Sequence, residues 1–285
     1  MGKSGLKPFT KWVGGKRQLL PELIKYMPSE YGTFFEPFIG GGALLFEVEP
    51  ENALINDFNE NLYLSYKVIK ENVEQLIEIL KVHQMKNSKE YYLDIREVDR
   101  DGRFDKMSEV EKAARLMYML RVDFNGLYRV NSKGQFNVPY GKYVNPKILN
   151  EDNLRAISRY LNENNIKVLN GDFEEACAEV KKGDFIYFDP PYAPVNATSA
   201  FTSYTEAGFG YDEQVRLRDL FVKLDKLGAK VMMSNSSVGL IHKLYADYAA
   251  TTVIVGANRM INSKASARGK VDEVIVMNYG ESDEE

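Results

Sequence analysis

The stretch that most constrains this chain is Phe185-Ile-Tyr-Phe188, followed at once by Asp189-Pro-Pro-Tyr192. Four apolar residues in a row read as a strand buried on both faces. Two consecutive prolines cannot continue a hydrogen-bond ladder, because they have no N–H to donate. The strand therefore stops, and a stiff turn begins, at Asp189. In open α/β sheets ligands sit beyond the carboxyl ends of strands, so this turn lies where chemistry is done. The Asp189 carboxylate and the Pro190 carbonyl present two fixed acceptors, with the aromatic face of Tyr192 beside them. That set suits an exocyclic amine on a flat ring. Two acceptors on its two N–H groups draw the nitrogen toward a tetrahedral, nucleophilic geometry while the base stacks. Read more blandly, the same residues make a rigid β-turn with a capping aspartate.

The rest of the chain supplies a sheet for that strand. Ile166–Leu169, Lys230–Met233, Thr251–Val255 and Glu273–Met277 are further short apolar runs, and the buried Met232-Met233 pair belongs to one of them. The first half predicts a helix over Arg17–Tyr26 closed by Pro28, a strand over Tyr31–Glu36, a turn at Gly40-Gly41-Gly42, a helix over Ala43–Val48 and a strand over Ala53–Asp57. Strand, glycine turn, helix, strand is the grammar of a parallel βαβ unit. The glycines let backbone approach a nucleotide-like ligand. The pattern is not GxGxxG and no GK[ST] follows, which disfavours ATP. Asp57 lies 21 residues after Glu36, where a carboxylate can accept both hydroxyls of a ribose.

From Phe58 to Val122 the period turns helical, with Leu76, Ile77, Leu80 and His83 on one stripe and Ala113, Leu116, Met117 and Leu120 on another. Asp99–Lys106 reads as a connector. Phe124–Lys147 spaces Gly126, Gly134 and Gly141 among aromatic and basic residues, and Asn131-Ser-Lys-Gly134 predicts the turn of a β-hairpin. A helix over Asp152–Asn162 follows. The expected fold is α/β, a sheet with helices on both faces, interrupted by a helical insert that carries the hairpin.

A length of 285 residues with 44% apolar content suffices for one large domain or two small ones. The single cysteine, Cys177, excludes a disulfide scaffold and a cysteine-built zinc site. His83 and His242 are too few and too distant for a histidine metal cluster, so no metal is expected and all three residues read as structural. No run of 18 apolar residues exists to span a membrane. The first residues lack the apolar region of a secretory signal, so the expected compartment is the cytoplasm. Net charge is −4, which at first argues against nucleic acid. The distribution argues the other way. Residues 1–17 hold Lys3, Lys7, Lys11, Lys16 and Arg17, residues 124–150 hold Arg129, Lys133, Lys142 and Lys147, and residues 259–270 hold Arg259, Lys264, Arg268 and Lys270, all without an acid. Such segments can line a phosphate-binding groove, or equally be solvated loops. The acidic end, Glu281–Glu285, reads as a solubilising tail.

Pro8-Phe-Thr-Lys11-Trp12-Val-Gly-Gly15-Lys16, Phe34-Phe-Glu-Pro-Phe-Ile-Gly-Gly-Gly42, Ile55-Asn-Asp57, Phe124-Asn-Gly-Leu127 through Arg129, Phe136-Asn-Val-Pro-Tyr-Gly141 and Asp189-Pro-Pro-Tyr192 occur in that order. Together they resemble the Dam/Dpn-type DNA adenine methyltransferases of the α-group over nearly the whole length. The resemblance implies a Rossmann-like methyltransferase sheet. It implies transfer of a methyl group from S-adenosylmethionine to adenine N6 in double-stranded DNA, within GATC, by base flipping. It divides the chain into a catalytic, cofactor-binding domain (1–57 and 164–285) and a target-recognition domain (58–163, hairpin near 124–147).

Residue by residue, the resemblance places Asp189, Pro190 and Tyr192 in catalysis. Trp12, Lys16, Asp57 and Asp189 touch the cofactor, Phe38 and Gly40 lie in its loop, and Asp172 and Phe173 meet its adenine. Lys11, Arg129, Lys142 and Tyr143 read or support the target, and Phe124 and Asn125 lie near the gap left by the flipped base. Phe124 and Lys142 stand where other members carry tyrosine and arginine, so flank preference does not carry over. The chain would serve a restriction-modification system, paired with an endonuclease, or act as a solitary methylase. An N4-cytosine methyltransferase uses a similar tetrapeptide and stands as the alternative enzyme, and an idle sequence-specific DNA-binding module as the alternative of another class. Cytosine ring methylation needs a Pro-Cys nucleophile, and Cys177 follows alanine.

Overall fold

The structure, a computed structural model, describes residues 4–12, 14–16, 19–194, 208–258 and 270–280. Arg17, the side chains of the third basic segment and the acidic end lie outside the described residues. In chain order the elements are α1 (Leu20–Tyr26), β1 (Phe34–Glu36), α2 (Ala43–Val48), β2 (Asn52–Asp57), α3 (Glu60–Glu71), α4 (Val73–Lys86), α5 (Lys89–Glu97), α6 (Glu109–Val122), α7 (Glu151–Glu163), β3 (Asn165–Asn170), α8 (Phe173–Ala176), β4 (Phe185–Phe188), α9 (Tyr211–Leu227), β5 (Lys230–Ser236), α10 (Gly239–Leu244), β6 (Thr252–Asn258) and β7 (Lys270–Met277). Local chemistry sets several of these boundaries. Asn59 and Ser88 accept N–H groups at the starts of α3 and α5, and Ser108 with Glu111 makes a capping box on α6, each satisfying donors that a helix start leaves orphaned.

The strands form a seven-stranded sheet in the order β3-β2-β1-β4-β5-β7-β6. β1 runs parallel to β2 and β4, and β4 parallel to β5. β7 enters antiparallel between β5 and β6. This is the expected α/β, Rossmann-like sheet, with one reversed strand.

By its internal contacts the chain divides into two compact units. A helical unit comprises Met1–Gly15, Gly40–Glu51 and Asp57–Gly171, and a sheet unit comprises Lys16–Ile39, Asn52–Asn56 and Asp172–Glu285. Beside the expected boundaries at 57/58 and 163/164, these units change over at 56/57 and 171/172, and residues 1–15 and 40–51 group with the helical unit, where Tyr66 of α3 meets them. Its hydroxyl donates to the Gly40 carbonyl at 3.1 Å, and its ring meets Phe9 edge-on at 4.9 Å and stacks with Phe46.

In the sheet unit, Phe34, Phe185, Phe188, Met232, Met233, Leu217 and Phe221 are fully buried. Each such side chain contributes roughly 1.5–3 kcal/mol of apolar burial. Cys177 is buried as well, and burial raises its thiol pKa. In the helical unit the core gathers Leu76, Leu80, Tyr92, Tyr118, Leu120 and Val138. His83 belongs to it: Nδ1 meets the Tyr91 hydroxyl at 2.8 Å, and the ring stacks on Tyr118. Burial, helped by Lys86, lowers the His83 pKa to about 4.

The predicted hairpin is not built from strands. Residues 123–147 make isolated antiparallel bridges at Asp123↔Tyr140 and Val130↔Phe136, with the turn closed by Gly134 N–H to Asn131 O at 2.9 Å. Asn125 and Gly126 adopt φ of 64° and 67°, and Pro139 has no N–H. A bent start and a missing donor prevent a continuous ladder.

Candidate functional site

In the sheet unit, β4 delivers Asp189 to its own carboxyl end, and the surroundings fix it there. The Lys16 ammonium pairs with Asp189 Oδ1 at 2.9 Å, and the two side chains are 11% and 17% exposed. The Ser234 hydroxyl, at the end of β5, donates to the same oxygen at 3.1 Å and meets the Tyr187 hydroxyl at 2.8 Å. Burial raises the Asp189 pKa, and Lys16 and Ser234 offset part of that rise by favouring the carboxylate. Pro190 is buried, the Pro191 carbonyl accepts from Gln214 Nε2 at 3.0 Å, and the Ala193 N–H donates to Asn235 Oδ1 at 2.9 Å. Gln214 and Asn235 are themselves joined at 3.2 Å. Tyr192 lies with Lys16 Nζ 4.0 Å above its ring and its hydroxyl on Glu273.

An aromatic cluster stands in the same unit. Phe38 packs on Phe173 at 5.3 Å and 30°, and on Phe209 edge-on. Asp172 caps α8 and pairs with Arg216 at 3.0 Å, while the Arg216 guanidinium covers the Phe173 ring at 4.9 Å. Lys16, Phe38, Asp172, Phe173, Asp189, Pro190 and Tyr192 thus belong to one unit.

The other expected residues belong to the helical unit. Asp57 ends β2, and its two oxygens accept the N–H groups of Gly40 at 3.0 Å and Asn59 at 2.9 Å. Burial raises its pKa, while those two bonds pull it down. Gly40 has φ of 51°, and a Cβ there would stand 3.1 Å from Trp12 Cδ1. Only glycine suits that conformation and that approach. Trp12 in turn stacks on Tyr128 at 5.2 Å.

Lys11 lies over the Tyr143 ring at 4.5 Å, and the Tyr143 hydroxyl accepts the Asn125 N–H at 3.1 Å. A Cβ on Gly126 would strike the Lys11 side chain at 2.5 Å. Phe124 is 49% exposed. Arg129 is anchored by Asn137, Nε to Oδ1 at 2.7 Å and Nη2 to the carbonyl at 3.2 Å. Arg129, Lys133, Lys142 and Lys147 are all exposed, and none forms an ion pair among the described residues. Beneath this loop lies Asp123, fully buried, with neither carboxylate oxygen in a hydrogen bond. Desolvation pushes its pKa up to about 8, while the Gly126 and Leu127 amides and the Lys11 charge pull the other way.

Sequence comparison decides the family. A sequence model described as D12 class N6 adenine-specific DNA methyltransferase matches residues 12–261. The chain belongs to that family. It is 62% identical to the type II methyltransferase M1.LlaDCHI of Lactococcus lactis subsp. cremoris over 98% of this chain and 97% of the relative. It is 43% identical to the type II methyltransferase M.MjaIII of Methanocaldococcus jannaschii (96% and 99%) and 34% identical to a DNA adenine methylase of Vibrio cholerae (95% of each). This D12-class enzyme acts on adenine N6 in DNA and takes its methyl group from S-adenosylmethionine.

The sequence reading of this methyltransferase missed the partners of the Asp189–Tyr192 turn: Ser234, Asn235, Gln214 and Glu273. One signal was available. The apolar run Lys230–Met233 passes directly into Ser234-Asn235-Ser236, all three fully buried, and polar residues continuing a buried strand need partners. Gln214, Glu273 and Arg216 carry no local signal, since their partners lie far away in sequence. Among the described residues, no helix is long and apolar enough to cross a membrane.

Proposed function

We propose that this D12-class enzyme methylates adenine within GATC in duplex DNA, taking the target base out of the helix stack to reach its amino group. The observation that carries this reading is the Asp189 carboxylate, held between a lysine ammonium and a serine hydroxyl at the end of β4. A fixed acceptor beside an aromatic face is what a delocalised amine needs to become nucleophilic. The Pro190 carbonyl is the second acceptor, and Tyr192 the surface against which the adenine rests.

The residues fit S-adenosylmethionine, which supplies an electrophilic methyl on a sulfonium. In the sheet unit, Phe38 and Phe173 offer aromatic surface for its adenine, Asp172 an acceptor beside them, and Lys16 a cation for its carboxylate. In the helical unit, Asp57 keeps lone pairs for ribose hydroxyls while its present bonds hold the Gly40 turn, and Trp12 packs on that turn. Arg129 suits guanine readout. Its Nε and Nη2 are anchored on Asn137, which leaves the end of the guanidinium for the two major-groove acceptors of guanine. Lys11, Lys142, Tyr143, Phe124 and Asn125 complete the DNA-facing set. We assign target recognition to the helical unit and catalysis to the sheet unit. The type II names of two relatives support pairing with a restriction endonuclease, and DNA as substrate supports a cytoplasmic site of action.

The test is protection. Duplex DNA incubated with the protein and S-adenosylmethionine should resist a nuclease blocked by adenine methylation in GATC. Methyl incorporation with GATC sites still cleaved would overturn the proposed sequence while leaving the family intact.

A further inference from the structure

Glu273 reaches the Asp189–Tyr192 turn from the other end of the sheet unit's sequence. It stands near the start of β7, opposite Ser236 at the end of β5, and is 8% exposed. Its Oε2 accepts the Tyr192 hydroxyl at 2.9 Å. A carboxylate this enclosed is tolerated only with hydrogen-bond partners, and a phenol donating to a carboxylate makes a charge-assisted bond stronger than a neutral one. Gln214 and Asn235 hold the backbone of the turn, and Lys16 and Ser234 hold Asp189. Glu273 acts at a different point, the tip of the tyrosine ring.

We infer that Glu273 is a positioning residue for methyl transfer: by holding the Tyr192 hydroxyl, it fixes the plane of the ring against which the target adenine stacks. The inference rests on the reading that this turn receives the target base. A tyrosine ring anchored only through Cβ can swing about two dihedrals, and pinning its oxygen removes most of that freedom. The amine must meet the Asp189 carboxylate at hydrogen-bond distance while the base lies flat, so a swinging ring misaligns both at once. Burial raises the Tyr192 hydroxyl well above its ordinary value, which keeps it a donor throughout the working range.

The test uses Glu273→Ala, Glu273→Gln, Tyr192→Phe and the double variant Glu273→Ala/Tyr192→Phe in the full chain. The readouts are single-turnover methylation of a GATC duplex at saturating S-adenosylmethionine, KM for DNA, and fluorescence of 2-aminopurine at the target position. Glu273→Ala and Tyr192→Phe should each slow the chemical step about tenfold to hundredfold, with KM for DNA nearly unchanged. Glu273→Gln keeps an acceptor and should keep most of the rate. The double variant should be no slower than the slower single, because both remove one bond. The flipped probe should be brighter in both single variants, since a loosened ring quenches it less.

Wild-type rates in Glu273→Ala and Tyr192→Phe, or losses that simply multiply in the double variant, overturn the inference. If Glu273→Ala does not fold, Tyr192→Phe decides, since it removes the same bond without opening a large cavity. Asp189→Ala separates the two levels. An inactive Asp189→Ala with unaffected Glu273 and Tyr192 variants sinks the positioning role alone. A fully active Asp189→Ala sinks the reading of the whole turn.

Discussion

The two units solve opposite problems. In the sheet unit, the Asp189 carboxylate, the Pro191 carbonyl, the Ala193 amide and the Tyr192 hydroxyl each have a protein partner, most of them buried. In the helical unit, the 124–147 loop shows four cations to solvent, and its shape rests on isolated bridges and a few side-chain anchors. The difference teaches where interaction energy is held. On the proposed reading, the turn acts on the reacting atom and is oriented during folding, so no reorganisation is left for the moment of reaction. On the same reading the loop's cations meet a polyanion, and gain their energy when they displace counterions at encounter.

The sharpest way to break the comparison is at Asp189. Asp189→Ala should cut single-turnover methylation by about 100-fold or more while circular dichroism and thermal melting stay near wild type. Wild-type turnover would mean that the ordered turn is only architecture.

Asp123 tests a buried carboxylate next to the open loop of the helical unit. Its folded pKa, about 8, stands above the ordinary aspartate value, so the folded state holds a proton that the unfolded chain has already lost. The stabilisation is present below about pH 4 and is lost progressively as pH rises toward 8. Asp123→Asn should flatten that slope and gain stability relative to wild type by up to a few kcal/mol at pH 8, read as denaturant midpoints at pH 5 and 8. Parallel curves for the two proteins would show that the carboxylate is ionised and matched in the fold.

Arg129→Ala should narrow the rate gap between GATC and a site altered at its guanine by about 1–3 kcal/mol. Equal losses on both duplexes would reduce Arg129 to a phosphate anchor.

The smallest effect belongs to the solvated charges. Lys142→Ala should weaken all sites alike and lower the slope of log affinity against log salt by about one. An unchanged slope would mean that this lysine meets no phosphate.

What could be read from the sequence follows the range of the interactions involved. The β4 run, the proline stop, the Gly40–Gly42 turn and the helix over Ala43–Val48 are set by neighbours a few residues apart, and they stand where the pattern put them. The Asn131–Gly134 turn formed, but no continuous strands flank it, because Asn125 and Gly126 bend the start and Pro139 lacks a donor. Residues 1–15 and 40–51 joined the helical unit through Tyr66, whose contacts span 26 residues to Gly40 and more to Phe9. No local period encodes that. Asp189 was visible because its strand and prolines adjoin it. Glu273, 81 residues from the Tyr192 that it bonds, shows in the sequence only as part of a strand.

The reversed direction of β7 has one more consequence. A parallel strand at that place would begin at the amino ends of its neighbours, far from the turn. Running backwards, β7 enters its pairing with β5 at Glu273, opposite Ser236 where β5 ends, so Glu273 sits beside the turn and the last residues of β7 do not. Shortening the protein from its carboxyl terminus would therefore remove sheet first and the tyrosine's partner late, whereas a deletion that merely shifts the entry into β7 by one residue would turn Glu273 to the opposite face. Loss of the buried Val274–Met277 would cost the sheet an interior strand, whereas a slip in register would cost the turn its carboxylate.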